Sequence, residues 1–505
     1  MQTVTVLMVL ALGILSGTAA LALARALSGG GHPARPPLDR DSEEDFTGAA
    51  EDLAALIRFR TVSWFEPDLE DGEAFASLPA ELARRWPLVM ARTLRREAGD
   101  RAILLEWPGS DSTLAPLVLA AHWDVVPPGD GWSFDPFSAG VEGDEIRGRG
   151  AQDTKVTMAA ILGACERLAR AGWTPHRTIF LAFGGDEETG GTRGARRMAE
   201  WFRERGLRAA CLLDEGGIIA DGMLSFVDRP LALIGTAEKG YLDATIETLG
   251  SGGHASMPPR STAAGGLARA VSALERRPFP ARLVPTARAF LGALSDHAPF
   301  GYRLLFRNLW LFGPLVIRAF SRSPTTDALV RTTMAFTMLE GSPKENVLPE
   351  RARANVNVRI LPGETIASAL ARLDRIARRR GARAYAAHEG SASDPSPETP
   401  PSGPAWDALA KALSSTRPDA GMLPFLFSAG TDTKHWVGVA DSIYRFAPIL
   451  QTPADLARVH GRDERVAKGE LRKATLFYRE FMKAYCGPDG ETADAPGRVS
   501  AGERS

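Results

Sequence analysis

The sequence predicts an α/β protein: a mostly parallel sheet flanked by helices, with an inserted ferredoxin-like α+β lid and an apolar N-terminal helix. Two rhythms carry that reading. Over residues 46–239 apolar strands alternate with amphipathic helices, which builds a parallel sheet covered on both faces. From residue 240 to 390 the order changes to strand, helix, strand, strand, helix, strand, the ferredoxin-like unit. Patterning of the first kind then resumes until Tyr485, so the second block interrupts the first.

The chain opens with an uncharged run over residues 3–24, long enough as a helix to span a hydrocarbon core. No basic side chain precedes it, and Ala20, Ala22 and Ala24 offer the small residues a signal peptidase needs. A signal anchor and a cleavable signal peptide both fit residues 1–27, with the length of the run favouring the anchor. Either places the rest of the chain outside the cytoplasm, membrane-anchored through this helix or, after cleavage, secreted or periplasmic. Residues 28–45, with their Gly, Pro and Arg, read as a linker.

The first part of the main domain, 46–239, carries helical patterns at 158–171 and 193–205. Within the lid, 240–390, a strand from Tyr241 is followed by a helix at 262–276 and strands at 332–339 and 353–360. A helix at 365–380 and a strand at 382–387 complete it. The second part of the main domain, 391–486, begins with a return segment rich in Pro and Ser. The polar tail 487–505 has the composition of a disordered segment. Residues 289–320 resist the scheme, being apolar and aromatic but interrupted by Arg303, Arg307 and Arg318, which argues against a second membrane span. Helical spacing there favours ordinary core, with a surface for lipid or acyl chains as the alternative.

Length and composition narrow the class. At 505 residues with 44% hydrophobic side chains, the chain supports more than one buried core. A net charge of -1, from 60 basic and 61 acidic residues, argues against nucleic acid, which demands a basic face. With only 3 cysteines there is no disulfide framework, and Cys165 and Cys211 fall in apolar patterns as small core residues.

Chemistry concentrates at strand ends. Strand 178–183 runs into Gly184-Gly185-Asp186-Glu187-Glu188, strand 117–121 into His122-Trp123-Asp124, and strand 211–213 into Asp214. Open α/β sheets bind ligands at these carboxyl ends. Carboxylates there must be paired, hydrated or coordinated to metal, because burying them alone is costly. A two-metal hydrolytic centre needs a bridging oxygen ligand and room for water and substrate. His122 with Asp214 would hold one metal and Glu188 with a distant histidine the other, bridged by Asp153 of Gly150-Ala151-Gln152-Asp153. Asp124, two residues on, would accept the spare ring N–H of His122. Glu187 is then left as general base.

His122-x-Asp124, Gly150-x-x-Asp153, Asp186-Glu187-Glu188, Asp214 and Gly253-His254 resemble, in order, the di-zinc metallopeptidase family of aminoacylases and carboxypeptidase G. Gly430-Thr431-Asp432-Thr433-Lys434-His435 and Val459-His460-Gly461-x-x-Glu464 are similar in particular to its branch of vacuolar carboxypeptidase S and the secreted N-fatty-acyl-amino-acid synthase/hydrolase. The similarity spans residues 49–485. It implies a zinc-peptidase-like main domain and two Zn2+ ions, with Co2+ or Mn2+ as substitutes. His122 and Asp214 fall on one ion, Glu188 and His460 on the other, and Asp153 between them. Glu187 falls on the catalytic carboxylate and Asp124 on the aspartate behind the ligating histidine. His254 matches the lid histidine that contacts the reacting carbonyl. Asn346 and Arg359 match lid positions that bind substrate polar groups, Arg359 with the bidentate fork that suits a carboxylate.

The implied reaction is hydrolysis, reversible in principle, of an amide next to a free carboxylate. The implied substrates are small molecules, either N-acyl amino acids (N-fatty-acyl ones included) or short peptides, attacked by metal-activated water. A carboxypeptidase restricted to short peptides is the narrower alternative, and a non-catalytic receptor on the same fold the more distant one. The resemblance also admits a homodimer through the lid, an interface that the insertion at 290–320 would block or replace. Taken singly, several residues have plainer readings. His254 and Asn346 suit turns, Arg359 suits an ion pair within the lid, and His460 alone would be a surface histidine. His435 beside Lys434 is equally well structural. His32, His176, His297 and His388 read as solvated.

Overall fold

The computed structural model describes residues 17–27, 46, 48–387 and 392–488. Its described residues fall into two compact units, one drawn from 31–236, 399–424 and 431–505, the other from 1–30, 237–398 and 425–430. Strands β1 (Ala102–Trp107), β2 (Leu117–His122), β3 (Ile179–Gly184) and β4 (Ala209–Asp214) belong to the first unit. The second contributes β5 (Gly240–Leu249), β6 (Thr333–Glu340), β7 (Arg351–Ile360) and β8 (Arg383–Ala386), after which β9 (Ala440–Arg445) returns to the first.

In the first unit the sheet runs β1-β3-β2-β4-β9. Strand β2 lies parallel to β3 and β4, and β9 parallel to β4, whereas β1 is antiparallel to β3. Every residue of β2 and β3 is buried, as expected of strands covered on both faces. Alternation sorts their side chains. Leu117, Leu119 and Ala121 face a core shared with helix α1 (Lys155–Arg170) and the helix Lys468–Cys486. Val118 and Ala120 face a smaller core with helix α2 (Ala195–Glu204), where Phe180 meets Phe202 with ring centroids 4.8 Å apart. All three cysteines are buried and none is in a disulfide.

The second unit is a four-stranded antiparallel sheet in the order β6-β7-β5-β8. Helices α3 (Ala263–Glu275) and α7 (Ile366–Arg378) share its core. On β7 the alternation is complete: Ala352, Ala354, Val356, Val358 and Ile360 are buried, while Arg353, Asn355, Asn357 and Arg359 face away. Thr365 starts α7 with a reciprocal capping box to Ser368. The element order is the β-α-β-β-α-β expected from the sequence. Between α3 and β6 it accommodates α4 (Pro285–Leu294), α5 (Phe300–Arg307) and α6 (Leu309–Phe320). This section is neither plain core nor plain surface. Phe290, Phe306 and Val316 are buried, but Phe300, Trp310, Leu311 and Leu315 remain exposed.

Residues 17–27 are helical. No helix among the described residues is long and apolar enough to cross a membrane. The leader over 1–16, the linker 28–45, His32, His388 and the tail from 489 lie outside the described residues. His176 and His297, read from sequence as solvated, are half-buried instead. The backbone N–H of His176 is tied to the Cys486 carbonyl at 2.7 Å, and His297 sits in a turn between buried Ser295 and Ala298.

One ion cluster fastens the polar face of the second sheet. Glu247 on β5 is 1% exposed and is reached by Arg353 at 2.9 Å, Arg383 at 2.5 Å and the Tyr385 hydroxyl at 3.2 Å. Burial raises its pKa, but the hydrogen bonds from Arg383, Arg353 and Tyr385 outweigh burial and bring it down to about 2. A lowered folded-state pKa stabilises above the unfolded value near 4.5, and that contribution disappears as pH falls toward 2. Because the arginines are 40% and 60% exposed, the cluster contributes about 1–2 kcal/mol. Glu247→Gln should therefore lower stability in urea melts at pH 7 by about that amount. The gap from the parent should close steadily below pH 5; a gap independent of pH would contradict the assignment.

Candidate metal centre

The carboxyl ends of β2 and β3 are level, since His122 pairs in register with Gly184. The chain beyond β3 turns through Gly185, where a β-carbon would come within 2.5 Å of the Trp123 ring, so this close approach admits only glycine. A short 3-10 turn, Glu187–Thr189, follows. Asp124 ties the two strand ends together. Its carboxylate accepts the backbone N–H groups of Glu187 and Glu188, each at 3.1 Å, and the Ser63 hydroxyl at 2.6 Å. His122 Nδ1 lies 3.1 Å from the Asp124 backbone carbonyl and 3.4 Å from its carboxylate. One aspartate thus orients the imidazole on one side and the acidic turn on the other.

Asp153 and His460 are positioned by one C-terminal segment. Glu464, fully buried, accepts the N–H groups of Gln152 at 2.6 Å and Asp153 at 3.1 Å through one oxygen. Its other oxygen takes the N–H of Gly150 at 3.1 Å and the Arg149 guanidinium at 2.7 Å. Four residues earlier, His460 adopts φ of 56°, a left-handed conformation uncommon outside glycine. Its Nε2 stands 2.9 Å from Asp153 Oδ2 and 3.0 Å from Glu188 Oε1. His122 Nε2 stands 3.0 Å from Asp153 Oδ1. The two oxygens of Asp153 therefore each face a different imidazole.

These donors fit divalent metal. Ligand atoms of His122, Asp153 and Glu188 lie within 4.8 Å of one another. Two ligands of one tetrahedral ion stand about 3.4 Å apart, close to the contacts seen. Both rings turn Nε2 toward carboxylate oxygens, where either a proton or a cation must lie. The Asp153 carboxylate, with one oxygen toward each ring, has the disposition of a bridging ligand.

Charge points the same way. Burial pushes His122 down, but hydrogen bonds to Asp124 and Asp153 overcome it and hold the ring well above its usual range. Hydrogen bonds to Asp153 and Glu188 raise His460 to about 10. Burial, then repulsion from Asp432, Glu188 and Glu215, pushes Glu187 well up even though His122 pulls it down. Burial, then Asp153, Asp214 and Glu188, does the same to Glu215, again against His122. Carboxylates packed this closely lack sufficient positive charge, which bound cations would supply.

The model of peptidase family M20/M25/M40 matches residues 118–484. The chain belongs to this family. It is 34% identical over 450 residues to the N-fatty-acyl-amino acid synthase/hydrolase PM20D1 of Mus musculus, covering 88% of each chain. To carboxypeptidase S of Saccharomyces cerevisiae it is 30% identical, over 81% of this chain and 78% of that one. Among solved structures, the M20 metallo-carboxypeptidase Sso-CP2 of Sulfolobus solfataricus shares the fold, with a TM-score of 0.64 at 17% identity over 88% of this chain and 99% of that one. The protein is an M20 metallohydrolase with a candidate His/Asp/Glu metal site.

Within this M20 enzyme the direct contacts gather His122, Asp153, Glu188 and His460, with Asp124 and Glu187 held beside them. Asp214 ends β4 and accepts the N–H of Glu215 at 2.9 Å; it acts on Glu215 and Asp432 through charge. His254 and Asn346 come together in the second unit, where the Ala255 N–H donates to the Asn346 carbonyl at 3.0 Å and His254 pairs with Val347. The His254 ring accepts from the Ser256 N–H at 3.1 Å. Arg359 stacks its guanidinium over Tyr241 at 4.7 Å. Sequence reasoning gave no role to Glu464, Glu215 or Asp432. The HGxxE spacing of His460 and Glu464 was the available signal for the first, and the Asp214-Glu215 pair for the second.

Glu464→Gln removes the charge that faces Arg149 and weakens the cradle of Asp153. Divalent-metal affinity, measured by chelator competition, should fall about 10–100-fold. Removing metal from the parent should lower Tm, because ligand binding stabilises only the folded state. An unchanged affinity in Glu464→Gln would show that Asp153 needs no such support.

Proposed function

We propose that this M20 enzyme hydrolyses an amide bond adjacent to a free carboxylate, in N-acyl amino acids, including N-fatty-acyl ones, and in short peptides. The observation that carries the reading is the Asp153 carboxylate set between His122 and His460 with Glu187 held beside it. In this reading His122 and Asp214 would hold one Zn2+ ion, Glu188 and His460 the other, and Asp153 would serve both. When bound, such ions lower the pKa of water and polarise a carbonyl.

The remaining chemistry belongs to the chain. Glu187 is fixed through its backbone N–H to Asp124, and among the described residues its carboxylate has no hydrogen-bond or ion-pair partner. It is therefore available to take a proton from attacking water and return it to the leaving amine. Asp124 keeps His122 and the acidic turn in place while that proton moves. His254 supplies a hydrogen bond to the developing oxyanion. Arg359 binds the substrate carboxylate and Asn346 a neighbouring polar group. By microscopic reversibility the same groups serve condensation of an acid with an amine.

The relatives' names support this class, since one acts on N-fatty-acyl amino acids and the other is a carboxypeptidase. The second name favours short peptides as the alternative reading. With zinc-loaded protein, an N-oleoyl amino acid should be cleaved with higher kcat/KM than a dipeptide; the reverse order would assign the enzyme to peptides. Glu187→Gln should retain metal while kcat falls about 10²–10⁴-fold, and near-normal turnover with metal bound would refute its role. Arg359→Ala should raise KM by about tenfold or more with little change in kcat, as expected when uniform binding to a carboxylate is lost.

A further inference from the structure

A concentration of exposed apolar side chains lies where helix 17–27 meets the α5–α6 pair. Helix 17–27 buries Ala22 and Ala26. The fully buried Asn308, between α5 and α6, donates from Nδ2 to the Ala22 carbonyl at 3.0 Å and to the Leu304 carbonyl at 2.9 Å. Its Oδ1 accepts the Trp310 indole N–H at 3.2 Å. Arg307 adds a bond to the Arg25 carbonyl at 3.4 Å. This amide hub joins the helices while Leu21, Leu23, Trp310, Leu311 and Leu315 stay exposed, Leu315 by 55%. Apolar surface of this kind, gathered across three helices, marks a contact site.

Charge identifies what would cover it. From residue 298 to 326 there is no acidic side chain, while Arg303, Arg307, Arg318 and Arg322 occur there, of which Arg307 is paired with Asp296 just outside this stretch. Residues 3–27 carry only one charged side chain, Arg25. Arg25, Arg318 and Arg322 are exposed. A second copy of so basic a face would be repelled by the first, whereas anionic headgroups would be attracted, each basic group adding to the attraction. Trp310, half exposed with its indole N–H already satisfied by Asn308, offers the large apolar ring common at the headgroup level.

We propose that helix 17–27 and the α5–α6 pair together form a docking face for an anionic lipid bilayer, with Trp310, Leu311 and Leu315 in the interfacial layer. The second unit is then held at the membrane by its own surface as well as by any tether upstream. The face stands apart from the reaction assigned above.

Because the natural cysteines are buried, a nitroxide can be attached to full-length Leu311→Cys, Leu315→Cys and, on the exposed face of α7, Arg375→Cys. With vesicles of phosphatidylcholine and phosphatidylglycerol, labels at 311 and 315 should lose accessibility to a water-soluble nickel chelate several-fold and gain accessibility to oxygen. The label at 375 should not change. Vesicles of phosphatidylcholine alone should protect less. Failure to bind vesicles overturns the proposal, as does binding with both labels still in water, since a tether alone would explain it. Protection without vesicles also overturns it by identifying a second copy as the occupant. Hydrolysis of a soluble N-acetyl amino acid should be normal in all three variants, which separates failure here from failure of the assigned reaction.

Discussion

Everything at the centre depends on one carboxylate being shared. Asp153 turns one oxygen to His122 and the other to His460, residues from opposite ends of the main unit's sequence. A lone buried aspartate would be a liability. Here burial tends to raise its pKa, yet hydrogen bonds from the two rings hold it far below the ordinary carboxylate range. The neighbouring Glu187, Glu188 and Glu215 lack comparable compensation and are pushed upward. The centre is thus poised between excess negative charge and the cations that would neutralise it, and the surrounding backbone exists largely to hold that imbalance in place.

The parallel sheet supplies the stiffness. Buried strands on both faces fix where His122 and the Glu187–Thr189 turn emerge, and Asp124 then locks the two exits to each other through backbone N–H groups. Lys155 performs a related task at the start of α1. Fully buried, it donates to the Leu56 and Phe59 carbonyls at 2.9 and 2.7 Å, at the end of the helix Ala49–Arg58. Those carbonyls carry the negative end of the helix dipole. Burial alone accounts for the ammonium pKa being brought down to about 7.

Much of this was legible in the sequence because strand ends are. An apolar strand that stops at His122 or at Gly184 announces where its polar residues must emerge, and α/β topology decides that they emerge together. The ferredoxin-like order was equally readable from alternation on β5 and β7. What escaped reading were bonds without periodicity. Glu464 grips amides more than three hundred positions earlier, and only folded proximity reveals it. Asp124 spends its carboxylate on the amides of Glu187 and Glu188 as well as facing His122, a matter of side-chain direction that spacing does not encode. Residues 289–320 have helical spacing, but spacing cannot say which apolar face remains uncovered. His176 was misjudged because its burial came with a distant partner, the Cys486 carbonyl, and His297 because the turn that holds it lies between buried residues.

His460 and Glu464 reach back 272 and 311 positions to Glu188 and Asp153. A nascent chain consequently has its acidic strand ends synthesised long before one imidazole and the amide clamp. Metal capture must wait for nearly the last stretch of translation. A chain terminated just before His460 would carry every strand named above and yet be unable to complete its cation-binding core.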